Sequence, residues 1–214
     1  MSFPNPGRHA KFEKAANNRQ PDLTLILENV HDTHNVGAVL RSAESIGMIE
    51  IFVLNSDPQL QKKKMKLGKR TSSGARKWVD VHLYNNTEQC FSKVREKYPN
   101  ILGAFLGGES KSLFDLDFTV PTAILFGNEH DGITPESLKH CTGLFTIPQF
   151  GFTQSLNISV ACAITLYEAC RQRIVKGFYG NHPEWNDDNK SEMLANFIER
   201  QESGYKAHTV DAKK

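Results

Sequence analysis

Short apolar runs alternate with stretches of helical spacing along most of the chain, and this alternation restricts the fold more than any other feature. Leu23-Thr24-Leu25-Ile26-Leu27-Glu28 is a run of strand formers. Val36, Val39, Leu40, Ala43 and Ile46 then recur at helical intervals, Gly47 stops the helix, and residues 50–55 return to a strand pattern. A strand, helix, strand order favours parallel pairing with a right-handed crossover. The same pattern predicts strands over 78–84, 100–106, 122–127 and 144–148. It predicts helices over 87–98, from a Thr134 N-cap with Pro135 at N1, and from about Leu156 to Val175. The expected class is α/β, a mostly parallel sheet flanked by helices.

A chain of 214 residues, 39% of them hydrophobic, can bury one sizeable core. Three segments are expected: an N-terminal extension over 1–20, the main domain over 21–177 and a C-terminal helical extension over 178–214. In the last, Met193, Leu194, Phe197 and Ile198 form an apolar stripe that should pack on its own domain. A net charge of +2 does not by itself imply non-specific nucleic-acid binding, so any such contact must come from local patches. The N-terminus lacks the apolar region of a secretory signal and no run is long enough to cross a bilayer, which points to a cytoplasmic protein with no membrane partner. Cys90, Cys141, Cys162 and Cys170 form no CxxC pair and read as reduced thiols. His31 and His34 flank Asp32 without further ligands at a recognised spacing, so no metal is expected.

Three separated stretches place polar residues where apolar elements end, which is where α/β proteins gather their chemistry. In the first, a polar loop leads into a helix with Asn35 at or near its N-cap and Arg41 following, both facing one crevice. From this segment alone, a cap and a surface ion pair are the simpler explanation. In the second, Gly127 and Gly132 bracket Asn128, Glu129, His130 and Asp131. Glycine lets backbone approach a ligand closely, although a polar turn before a helix cap reads the same way. The third is the most specific. Ile147-Pro148 leaves a strand, Gly151 permits a bend, and Ser155-Leu156-Asn157 opens the long helix, with capping accounting for one of the two polar residues.

Together these stretches resemble motifs 1, 2 and 3 of the SpoU (SPOUT) RNA ribose 2′-O-methyltransferases. Arg19-Gln20-Pro21-Asp22-Leu23-Thr24 and the segment from Arg70-Thr71-Ser72-Ser73-Gly74 to Val79 are similar to the TrmH branch of that family, so the likeness runs over roughly residues 19–180. It implies S-adenosylmethionine bound in a deep trefoil knot, a homodimer with the active site near the interface, and transfer of a methyl group to a ribose 2′-OH of tRNA, with guanosine 18 of the D-loop as the expected target. Another tRNA nucleotide or rRNA is the alternative substrate, and a non-catalytic RNA-binding module the alternative class.

The resemblance assigns Asn35, Arg41, Glu129, Ser155 and Asn157 to the catalytic set and Ala104, Gly127, Ile147 and Leu156 to cofactor contacts, mostly through backbone. Arg41 is the family's proposed catalytic residue. Because a guanidinium holds its proton so firmly, at least part of that role is expected to be electrostatic. Lys62, Lys63, Lys64, Lys66, Lys69 and Arg70, continued by Arg76 and Lys77, form an acid-free basic stretch expected to track RNA phosphates.

Overall fold

The computed structural model describes residues 6–61, 74–203 and 209–211; the basic positions Lys62, Lys63, Lys64, Lys66, Lys69 and Arg70 lie outside the described residues. The chain begins with α1 (Pro6–Asn17), β1 (Leu23–Glu28), α2 (Thr33–Ser45), β2 (Glu50–Leu54) and α3 (Pro58–Gln61). A 3₁₀ turn at Ala75–Lys77 precedes β3 (Asp80–Tyr84), α4 (Thr87–Arg95), β4 (Asn100–Ala104) and the short β5 (Lys111–Ser112). Then come β6 (Thr122–Phe126), α5 (Pro135–Leu138), β7 (Gly143–Thr146), α6 (Ile158–Val175), α7 (Phe178–Asn181), α8 (Asp187–Glu202) and β8 (Thr209–Asp211).

Among the described residues the strands form one sheet in the order β5-β7-β4-β6-β1-β2-β3-β8, seven from the main domain and an eighth from the tail, and every pairing is parallel. β1 lies near the centre, with Ile26 opposite Phe52 on one side and Leu27 opposite Phe126 on the other. Its six residues are all buried, as a continuous apolar run requires when helices cover both sheet faces. Alternate side chains divide between two cores. Leu23, Leu25 and Leu27 join Val36, Val39 and Leu40 of α2 and Cys162, Leu166 and Ala169 of α6. Ile26, Phe52 and Leu125 point the other way and pack with Cys90, Phe91 and Val94 of α4. Each fully buried leucine or phenylalanine contributes roughly 1.5–3 kcal/mol.

The terminal stripe on α8 packs as expected on its own chain. Phe197 and Phe12 of α1 meet Trp78 with ring centroids 5.4 and 5.5 Å away, and Met193, Leu194 and Ile198 close the cluster.

Several boundaries differ from the sequence pattern. The strand anticipated from Trp78 begins at Asp80, because Ala75–Lys77 makes a turn first. β4 stops at Ala104 and β7 at Thr146, leaving Leu106, Ile147 and Pro148 in loops beyond the strand ends. Asp32, not Asn35, caps α2: its carboxylate accepts from the His34 amide at 2.8 Å, while Asn35 sits within the first turn. Aspartate caps as well as asparagine, and the Asn35 side chain is engaged elsewhere. α6 starts at Ile158 with Asn157 as its cap, two residues later than the apolar pattern suggested.

Candidate active site

The carboxyl ends of β4, β6 and β7 open onto a cavity of about 410 Å³ walled by the loops that follow them. This is the position at which open α/β sheets take ligands, and the volume lies in the range of small-molecule sites. The four positions assigned to cofactor contact, Ala104, Gly127, Ile147 and Leu156, all line it, although they come from four different segments of the chain. Glu129 and Ser155 line it as well.

The loop after β6 is closed on itself. The Asn128 side-chain oxygen accepts from the amides of His130 (2.8 Å) and Asp131 (2.7 Å), and the Gly132 amide donates to the Asn128 carbonyl at 3.1 Å. A methyl group on Gly127 would fall 2.0 Å from the carbonyl carbon and oxygen of Gly132, so the closed loop admits only glycine there. Phe126, Ile147 and Leu156 give the cavity apolar walls, and Asn128, Glu129, Gln149 and Gln154 add polar groups. That mixture, with a backbone cradle a side chain would fill, fits a ligand that joins an apolar ring or chain to several hydrogen-bonding groups.

At the rim the three polar stretches meet. Asn157 Oδ1 accepts from the Ser159 amide (2.9 Å) and hydroxyl (2.6 Å), capping α6, while its Nδ2 donates to Asn35 Oδ1 at 3.3 Å. Asn35 Nδ2 in turn donates to the Glu129 carboxylate. The chain Asn157–Asn35–Glu129 thus ties the starts of α6 and α2 to the loop after β6, across separations of 122 and 94 residues.

Arg41 stands apart from this relay. It is exposed on α2 and does not line the cavity, and no hydrogen bond or ion pair to it is found among the described residues. Six residues along a helix turn the side chain by about 240°, so Asn35 and Arg41 leave α2 on different faces. One turn beyond Arg41, the Ser45 hydroxyl lies 3.3 Å from that of Tyr167 on α6.

Three further residues shape the site with little local signal for it. Phe105 and Leu106, read as strand, bound the cavity from the loop after β4. Glu28, the last residue of β1, is wholly buried and binds the segment after the β6 loop; its only signal was an acid closing an otherwise apolar run. Three of the four cysteines are poor nucleophiles. Burial pushes the thiols of Cys90 and Cys141 up to about 12 and about 11, and Cys162 well above its ordinary value. Among the described residues there is no cluster of three or more His, Cys, Asp or Glu that could hold a metal, and no helix long and apolar enough to cross a membrane.

An α/β sheet whose loops assemble such a cavity defines a ligand-binding enzyme domain, and the comparisons define which kind. The SpoU rRNA Methylase family matches residues 22–167, and the chain belongs to that family. It is 34% identical over 193 residues to the tRNA (guanosine(18)-2′-O)-methyltransferase of Thermus thermophilus, covering 90% of this chain and 96% of that protein. The A. aeolicus TrmH/SpoU tRNA modifying enzyme superposes with a TM-score of 0.81 at 30% identity, over 94% of this chain and 98% of that one. An AdoMet-bound rRNA methyltransferase from Sinorhizobium meliloti matches with a TM-score of 0.60 at 26% identity, over 72% of this chain and 60% of the other.

Proposed function

We propose that this protein transfers a methyl group from S-adenosylmethionine to the ribose 2′-OH of guanosine 18 in the D-loop of tRNA. The observation that carries the reading is the Asn157–Asn35–Glu129 relay at the rim of a cavity walled by Ala104, Gly127, Ile147 and Leu156. The substrate follows from the likeness to the Thermus thermophilus enzyme over nearly the full length of both chains.

The bound cofactor supplies an electrophilic methyl group on a sulfonium. What the chain must supply is a place to hold it, a ribose hydroxyl aligned with it, and stabilisation of the oxygen as its proton leaves. Ala104, Gly127, Ile147 and Leu156 hold the cofactor, largely through backbone. Ser155, exposed at the cavity edge, and Asn157, fixed as a helix cap, orient the ribose. Asn35 and Glu129 order the loops that carry them. Arg41, outside the cavity of its own chain and beside the α6 face offered to a second copy, acts from there as an electrostatic clamp on phosphate and on the developing alkoxide in that copy's site, since a guanidinium is a poor proton acceptor.

The cofactor lies in a deep trefoil knot. In support, the segment between β5 and β6 is strapped to α6: the Phe118 amide donates to Gln172 (2.8 Å), Gln172 donates to the Leu116 carbonyl (2.9 Å), and Arg173 to the Phe118 carbonyl (2.9 Å). β7 lies beyond β4, whereas the following α6 returns to α2, so the chain doubles back past that strap.

The working form is a homodimer. Val160, Ile164, Tyr167 and Ile174 recur at helical spacing on α6 and are exposed, a stripe suited to a second copy and adjoining Arg41 through the Ser45–Tyr167 contact. Residues 21–177 form the methyltransferase domain and the two extensions brace it. The basic stretch from Lys62 to Arg70 follows RNA phosphates, and its far flank is anchored where Arg200 donates to the Lys77 carbonyl (3.1 Å) and to Asp80 (2.8 Å). The protein acts in the cytoplasm.

Calorimetric titration with S-adenosylhomocysteine tests the cofactor part directly. Saturable binding to the folded protein is the expected result, and its absence refutes the reading. Binding without methyl transfer to any RNA would favour the non-catalytic module.

A further inference from the structure

Glu28 is buried completely at the last position of β1, and no cation pairs with it among the described residues. An acid in such a place is costly unless its oxygens are saturated by donors. Here they are: the Thr134 amide donates at 2.9 Å, the Thr134 hydroxyl at 2.7 Å and the Ser137 hydroxyl at 2.5 Å. Two come from Thr134, the N-cap of α5, and the third from Ser137 within it, where the loop after β6 ends. Leu27 pairs with Phe126, so Glu28 continues β1 alongside Gly127, where that loop leaves the sheet.

The loop 127–133 therefore has two fixed ends. One is the β6 strand itself; the other is Thr134, held by Glu28 from the neighbouring strand. Between them lie Gly127, Asn128, Glu129, His130, Asp131 and Gly132, a continuous stretch of cavity wall that includes the acid engaged by Asn35. The turn of α5 is too short to fix itself, being a four-residue helix. The Asn128 turn fixes the loop's internal shape, but no bond within it sets where the loop stands against the sheet.

We propose that Glu28 is a positioning residue for the cofactor site: by gripping Thr134 and Ser137 it sets the loop 127–133 at the height that closes the cavity wall. Its effect on methyl transfer rests on the function proposed above; its grip on the loop does not. Glu28 touches no lining residue's reacting atoms, so its removal should act on cofactor binding more than on the chemical step.

The test compares Glu28→Ala, Glu28→Gln and Thr134→Val in the full-length protein by S-adenosylhomocysteine titration, steady-state kinetics and amide hydrogen exchange. Glu28→Ala is expected to weaken the ligand and raise the cofactor KM by about tenfold while kcat changes by less than about threefold, the split that marks lost binding rather than lost chemistry. Glu28→Gln keeps an acceptor for the Thr134 amide, and the two hydroxyls can rotate to suit its amide group, so it should recover affinity to within about threefold of the native protein. Exchange of the amides over 128–137 should quicken in Glu28→Ala and in Thr134→Val, with or without ligand.

A folded Glu28→Ala protein with native affinity and native exchange overturns the proposal. So does lost affinity with exchange over 128–137 unchanged, because Glu28 would then act by another route. Should Glu28→Ala not fold, Thr134→Val, which removes one of the three donors together with the cap bond from the Ser137 amide, is read against Ser137→Ala, which removes one donor and leaves that cap in place. If the native protein binds no cofactor, the function fails, while the exchange data still decide whether Glu28 holds the loop.

Discussion

Replacing Asn35 by alanine should cost the enzyme about five- to tenfold in kcat/KM, and the size of that loss follows from what the side chain holds. Asn35 gives one hydrogen bond to an ionised carboxylate, Glu129, and takes one from Asn157 at 3.3 Å. A hydrogen bond to a charged partner contributes about 1.5–3 kcal/mol when buried, but Glu129 is exposed and solvent screening brings its share to about 1 kcal/mol. The long neutral bond from Asn157 adds roughly 0.5 kcal/mol at most. Loss of both corresponds to a factor of about ten or less.

Because one relay joins the residues, the losses should not multiply. Glu129→Ala alone should cost a similar factor, and the Asn35→Ala/Glu129→Ala pair scarcely more than either single change, a coupling of about 1 kcal/mol. Single-turnover methylation of a tRNA transcript measures the cycle. Rate factors that multiply across the two changes would show that the relay does not align the site, and the argument from its geometry would fail.

Arg41→Ala should lower kcat by about 10²–10³-fold, the range for loss of one group that stabilises a developing oxyanion, and leave the cofactor Kd unchanged on calorimetry; near-normal turnover at saturating substrates would reject its role. Gly127→Ala places a methyl 2.0 Å from the Gly132 carbonyl and should abolish measurable cofactor binding while costing about 1–3 kcal/mol in denaturant melts. Burial pushes the Glu50 carboxyl up, but hydrogen bonds from His82, Lys97 and Tyr98 outweigh it and hold the group at about 2. A depressed carboxyl contributes stability that is fully present above its unfolded value near 4.5 and disappears as pH falls toward 2, on the order of 3 kcal/mol here. Urea melts of Glu50→Gln should show that loss at pH 7 and a flatter acid limb than the native protein.

The sequence revealed what local spacing encodes. Leu23 to Glu28 reads as a buried strand because it is a continuous apolar run, and the long helix α6 was legible to within two residues at its start, where Asn157 caps it. Features set by distant pairing were not legible from the pattern. Nothing local places β7 outside β4, and β5, two residues long, is too short to carry a period. The motifs named the residues of the rim, but the bonds that join Asn35 to Glu129 and to Asn157 exist only once the sheet order brings three loops together. Asp32 holds the cap assigned to Asn35, two competent caps lying within one polar run, and Asn35 instead bonds Glu129, far along the chain. Helix geometry turns Arg41 onto an exposed face of α2, away from Asn35, which the motif spacing alone does not tell.

The most direct test of the whole account is to incubate the purified protein with unmodified tRNA and S-adenosylmethionine labelled in the methyl group, then map the product by limited alkaline hydrolysis. A ribose whose 2′ oxygen is methylated cannot attack the adjacent phosphate, so one bond in the ladder resists cleavage. Label in tRNA together with protection of the bond following guanosine 18 is the predicted result. Protection at another position, label in rRNA but not tRNA, or label on a base with an unbroken ladder of cleavage would contradict it.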